Sequence, residues 1–221
     1  MLSCRQPVPW VRVSVHRRGA NQTRAWLRAV RRAVEEHIRA GDHEAAIGLL
    51  ERTLSSTSLP QAARGELALT LARTAVDGLR SDRTTRVLRQ IVNEVELAPG
   101  LRGEVRLDLG LLKYTQAGQC LEGREELRAA VEELSARPAL AARAMAALGM
   151  PSWPGAPLAE NMSWLGRAVD TAAASGDGAA RMAAHVNWVA AQIDCGVPGA
   201  GELARQLPRS YDGCGGRDGP G

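Results

Sequence analysis

The sequence has no phenylalanine, a single lysine and few aromatic residues of any kind, five Trp and two Tyr in 221 positions. Its core must therefore be built from Leu, Val, Ile and Ala. The one lysine, Lys113, is followed by Tyr114, so no G-x-x-x-x-G-K-[ST] phosphate loop can be completed. The four cysteines, at 4, 120, 195 and 214, form no Cys-x-x-Cys and none sits beside a histidine, which leaves neither a zinc pattern nor a disulfide framework. His37 and His43 are six apart and do not share a helix face as an i, i+4 pair would. G-x-S-x-G and H-E-x-x-H are missing. The acidic doublets Glu35-Glu36, Glu125-Glu126 and Glu132-Glu133 diverge by about 100° on a helix and read as solvated faces. The expectation is a chain that is not an enzyme, with no catalytic, cofactor-binding or metal-binding residues. No run reaches the roughly 20 apolar residues of a membrane span, and the apolar stretch Val8 to Val15 is broken by Arg12. No membrane association and a cytoplasmic location are expected.

Charge is abundant but uneven. Residues 1–34 hold eight Arg and no acid, and the rest of the chain is net negative although the whole carries +4. An Arg-rich leader of this kind could bind phosphates without regard to sequence, and a nucleic-acid-associated protein is the alternative functional reading. Its organelle-targeting counterpart has the same Arg-rich, acid-poor composition.

From about Gln22 to Ile193 apolar residues recur at helical spacing in blocks broken by Gly, Pro, Asp or Ser, and no stretch keeps the alternation of a strand. The fold class is all-α. Arg64-Gly65-Glu66-Leu67-x-Leu69 recurs 38 residues on as Arg102-Gly103-Glu104-Val105-x-Leu107, and Leu50 and Leu54 map onto Leu88 and Val92 at the same offset. A period near 38 with two helices per unit predicts a helical-hairpin solenoid. Hairpins are expected at 22–40 with 42–56, 61–78 with 82–96, and 101–117 with 119–136. Pro60, Pro99 and Pro138 mark the unit boundaries, since a proline in a first turn sacrifices no intrahelical bond. The domain reading is a poorly ordered leader at 1–21, repeats at 22–148 ending in a short helix at 139–148, a Pro-rich break at 149–157, a further hairpin within 158–208 built from 158–175 and 178–194, and a disordered Gly-rich tail at 209–221.

The segment Ala40-Gly-Asp-His-Glu-Ala-Ala-Ile-Gly-Leu-Leu-Glu-Arg-Thr-Leu54 resembles the turn and second helix of a tetratricopeptide repeat, with Gly41 at the turn, Ala46 at the close-packed small position and Leu50 in the core. The first helix departs from that pattern, with Val30 at the aromatic position and Ala33-Val34 in place of Leu-Gly. A wider set of residues extends the resemblance: Leu59-Pro-x3-Arg-Gly-Glu-Leu67, Pro99-Gly-Leu-Arg-Gly-Glu-Val105, Trp164-Leu-Gly-Arg-Ala-Val-Asp-x4-Ser-Gly-Asp177, Val186-Asn-Trp-Val189 and Gly196-Val-Pro-Gly-Ala-x4-Ala204-x2-Leu-Pro208. Over residues 35–208 the chain resembles the tetratricopeptide-like helical-repeat arm of the actinobacterial large ATP-binding LuxR-type transcriptional regulators. In that family the arm lies between an ATPase and a helix-turn-helix domain and receives signals or partners. The sequence lacks the phosphate loop, and the stretch after Pro208 has no room for a helix-turn-helix, so the resemblance implies the arm alone.

What it implies functionally is a non-catalytic module that holds a protein or peptide partner on a concave face of first helices. In the register of the repeat, that face takes Arg31, Arg32 and Glu35 from the first hairpin, Arg73 and Asp77 from the second, and Asp108 and Thr115 from the third. Its charge is mixed, and no sequence-specific nucleic acid is expected there. The last helix presents Met182, Val186, Val189 and Ile193 on one face, a surface for weak homo-oligomerisation.

Overall fold

The computed structural model describes residues 10, 23–56, 59–78, 82–93, 96–114, 119–151 and 155–207. Among them the chain forms α-helices and no strand: α1 (Thr23–Arg39), α2 (His43–Leu54), α3 (Gln61–Asp77), α4 (Asp82–Val92), α5 (Pro99–Tyr114), α6 (Cys120–Glu133), α7 (Pro138–Leu148), α8 (Leu158–Ala174), α9 (Gly178–Asp194) and α10 (Ala200–Gln206). The protein is an all-α, tetratricopeptide-like solenoid of helical hairpins. None of these helices is long and apolar enough to cross a membrane. The expected leader apart from Trp10, and the tail from 209, lie outside the described residues.

The punctuation residues act as their chemistry requires. Gly41 takes φ +74°, the left-handed region a side chain would strain, and Asp42 behind it caps α2 by accepting from the Ala45 amide at 3.2 Å. Gly176 and Asp177 repeat the device: φ +72° at the glycine, then the Asp177 carboxylate accepting from Ala179 at 2.8 Å and Ala180 at 3.0 Å. Prolines open four helices, Pro60 and Pro157 preceding α3 and α8 while Pro99 and Pro138 begin α5 and α7. Two ends differ from expectation. Helix α4 stops at Val92 rather than 96, and α10 is a short helix at a Gly- and Pro-rich stretch that carries no sustained apolar period.

The repeated Arg-Gly-Glu also acquires a cause. A Cβ on Gly65 would come within 2.6 Å of Leu101 on α5, and one on Gly103 within 2.8 Å of Leu134 beyond α6. The glycine thus permits close packing of the neighbouring element. The glutamate reaches back one unit: Glu66 pairs with Arg31 of α1, and Glu104 with Arg73 of α3 at 2.6 Å.

Packing corrects the predicted organisation of the C-terminal half. Helix α7 is not a leftover before a break. It packs along α5 as a first helix and pairs intimately with α8, which is its second helix, while α9 stacks on α7 as the first helix of a fifth unit closed by α10. The units are therefore α1/α2, α3/α4, α5/α6, α7/α8 and α9/α10, and residues 149–157 are the interhelix link of the fourth. Arg124 makes that link possible. Buried on α6, it donates to the Leu148 carbonyl at the end of α7 at 3.3 Å and to Glu160 at 2.7 Å.

Two apolar clusters share α5 as a wall. One runs from Trp26 of α1 through Leu50, Leu71 and Leu88 to Val105 and Leu109, and the other from Leu107 through Leu127, Leu134 and Leu148 to Ala168. Lys113 lies in this region almost fully buried, its ammonium held by Glu122 at 3.2 Å and Glu126 at 3.3 Å of α6.

Candidate partner-binding face

The first helices expose a face on which charge is arranged as a ladder of pairs between successive units. Arg31 of α1 meets Glu66 of α3, Arg73 of α3 meets Glu104 of α5, and Glu104 also takes Arg137 at the start of α7. Asp108, one turn beyond Glu104, has Arg143 of α7 at 3.6 Å. Burial pushes the Asp108 carboxyl up to about 6; Arg143 and Arg73 oppose the shift, and Glu104 and Asp77 add to it.

Two grooves open between neighbouring first helices. One lies between α1 and α3, about 260 Å³, with Val34, Ile38 and Leu67 as its floor and Arg31, Glu35, Glu66 and Thr70 around it. The other, also about 260 Å³, lies between α7 and α9. Its walls are almost wholly alanine: Ala139, Ala142 and Ala146 from α7, and Ala179, Ala180, Ala183 and Ala184 from α9, with Leu140 beside them. Arg143, Asp177 and Asn187 supply its polar groups. Small side chains keep the two backbones accessible to an incoming chain, which makes this groove the more apolar of the two.

The predicted residues distribute unequally over this face. Arg31 and Glu35, four apart on α1, both line the first groove. Arg32 does not. It lies about 100° round the helix, with its guanidinium carbon 5.3 Å from the centre of the Trp10 ring, and so belongs to the end of the array. Arg73 and Asp77 are exposed on α3, Arg73 within the ladder. Asp108 is 3% exposed and acts from beneath the surface. Thr115 lies outside the described residues.

Sequence reasoning missed Arg137, Arg143 and the alanine groove because it stopped the first-helix register at α5. The 39-residue steps from Pro60 to Pro99 to Pro138 carried the missing signal, since a third step makes α7 a first helix. Among the described residues no three of His, Cys, Asp and Glu gather as a metal site.

No family model matches the chain, and no curated protein matches it. A solved structure does: BtubC (BKLC) from P. vanneervenii, 15% identical, with a TM-score of 0.65 over 94% of this chain and 92% of that one. The likeness is one of fold. It extends over nearly the whole of both chains, so the helical array is shared as an assembly and not as one hairpin.

Proposed function

We propose that the chain is a non-catalytic interaction module that receives a protein or peptide partner on its first-helix face, in keeping with its resemblance to the helical-repeat arm of LuxR-type regulators. The observation that carries this reading is the alanine-walled groove between α7 and α9. Seven alanines line it, Ala142, Ala146 and Ala184 buried as its floor and the others nearer its rim, with Arg143 exposed at its edge. Such a channel suits a partner segment with small apolar side chains followed by a carboxylate or amide that Arg143 and Asn187 can bond. The ladder beside it is already paired, so it sets register more than affinity.

The Arg-rich alternative gains no comparable support. Of its arginines, Arg31 is paired with Glu66 and Arg32 is stacked on Trp10. The test is a random-peptide display selection on the full chain, with selected peptides then titrated by fluorescence anisotropy against the wild type, Ala183→Leu and Arg143→Glu. The expected result is at least a tenfold loss of affinity with both variants. Selected peptides that bind both variants undiminished would overturn the reading, as would saturable Mg²⁺-dependent nucleotide turnover.

A further inference from the structure

The two ends of the solenoid are finished differently. At the α1 end Trp10 packs on the first apolar cluster and carries Arg32 above its ring. At the other end Val186 and Ile193 of α9 are 44% and 48% exposed, and Val197 and Leu203 are also exposed beside them, on the α9–α10 link and on α10. Six large apolar residues are exposed among the described residues, and four are these. Positions 186 and 193 are seven apart, so they lie within about 20° of each other on one helix face. Val189, about 60° further round, turns inward and is buried, which removes it from the surface that the sequence assigned to it.

The composition of this face is as telling as its exposure. From Met182 to Ile193 there is no Asp, Glu, Lys or Arg, in a chain of which 24% is charged. Its one titratable group, His185, has its ring Nδ1 3.0 Å from the Arg181 carbonyl oxygen of its own helix. The described contacts between the first four units, by contrast, all carry ion pairs of unlike partners: Arg31 with Glu66, Arg73 with Glu104 and Arg89 with Glu122, then Arg124 with Glu160. A face that presents Arg to the next unit's Glu cannot meet its own copy without setting like charges together. A face whose α9 stretch carries no charge, and whose Glu202 and Arg205 on α10 pair with each other at 2.6 Å, can.

We propose that the α9–α10 end face is a homodimer interface, in which two copies meet about a twofold axis through Val186, Ile193, Val197 and Leu203. Among the described residues no exposed large apolar side chain lies on α1 to α4, so a contact through this face closes at two copies instead of growing head to tail. Helix α9 is about 25 Å long at 1.5 Å per residue. With α10 beside it, the face buries roughly 400–500 Å² per copy, below the ~800 Å² per partner of a standard specific interface. The dimer is accordingly weak and concentration-dependent.

The test is sedimentation velocity and light scattering of the full chain across a concentration series. The expected mass rises from that of the 23.6 kDa chain and levels off at twice that value. Val186→Glu/Ile193→Glu should hold it at the monomer with an unchanged circular dichroism spectrum, and the milder Val186→Ala/Ile193→Ala should raise the dissociation constant at least fivefold. Leu121→Glu, at an exposed leucine on α6, should leave it unchanged. A wild type that stays monomeric at millimolar concentration, a mass that grows past two copies, or a dimer indifferent to both double variants would each overturn the proposal.

Discussion

Arg124 is where the C-terminal half of the solenoid depends most on one side chain. Its guanidinium is nearly buried, donates to the terminal carbonyl of α7 at 3.3 Å and lies 3.5 Å from the Asn161 side-chain oxygen. Arg124→Met keeps most of the stem but leaves the Leu148 carbonyl, one of the orphan acceptors of a helix end, without this donor, at a cost of about 2 kcal/mol. Arg124→Ala also removes the packed Cγ and Cδ methylenes, a further ~2 kcal/mol. Glu160 adds nothing to this sum, because Arg128 still holds it at 2.8 Å. For a chain of this size those losses correspond to falls in Tm of about 4–8 °C for Met and 8–16 °C for Ala. Because repeat units contact only their neighbours, the loss should be local. Hydrogen exchange should accelerate in α7 and α8 and remain as in the wild type in α1 to α3. Uniform acceleration along the chain, or none in α7 and α8, would refute the assignment of Arg124 as the clamp of the fourth hairpin.

Asp108 supplies a pH test. Its folded-state pKa of about 6 lies above the unfolded value near 3.8, so the folded chain binds a proton more readily, and stability falls as pH rises through that window. Asp108→Asn should therefore raise Tm at pH 7.5 by an amount worth about 1–3 kcal/mol, and the gain should vanish by about pH 4; a gain unchanged between those pH values would contradict the buried-carboxyl account. Lys113→Met should change unfolding free energy by less than about 1.5 kcal/mol, since it removes a desolvated ammonium while Glu122 and Glu126 keep Arg89 and Arg106, whereas Glu126→Ala, which takes a partner from the buried Lys113 and from Arg106, should cost about 3 kcal/mol in denaturant titration.

Much of the architecture was legible because local chemistry and period agreed. Gly41-Asp42 can hardly be anything but a left-handed turn followed by an N-cap, and the 38-residue return of Arg-Gly-Glu placed α3 and α5 in one register. The C-terminal half was misread for a physical reason. Three prolines in Met150 to Pro157 look like the end of an array, and the side chain that secures the end of α7 beside this stretch, Arg124, is 24 residues distant in sequence from the carbonyl it binds. Asp108 was assigned to the first-helix face, yet it is buried and faces Arg143 of α7 at 3.6 Å, a surrounding that local periodicity does not reveal. Likewise Val186 and Val189 fall on one stripe of a helical pattern, and only the packed array distinguishes the exposed Val186 from the buried Val189.

On the proposed function, ligand recognition belongs to the first helices. The measurement that tests it most directly is an amide chemical-shift titration of the labelled full chain with a display-selected peptide. The account predicts perturbations on α7 and α9, extending to α5, α3 or α1 with peptide length, and none on the outward surfaces of α2, α4, α6 and α8. Shifts concentrated on those second helices would contradict it.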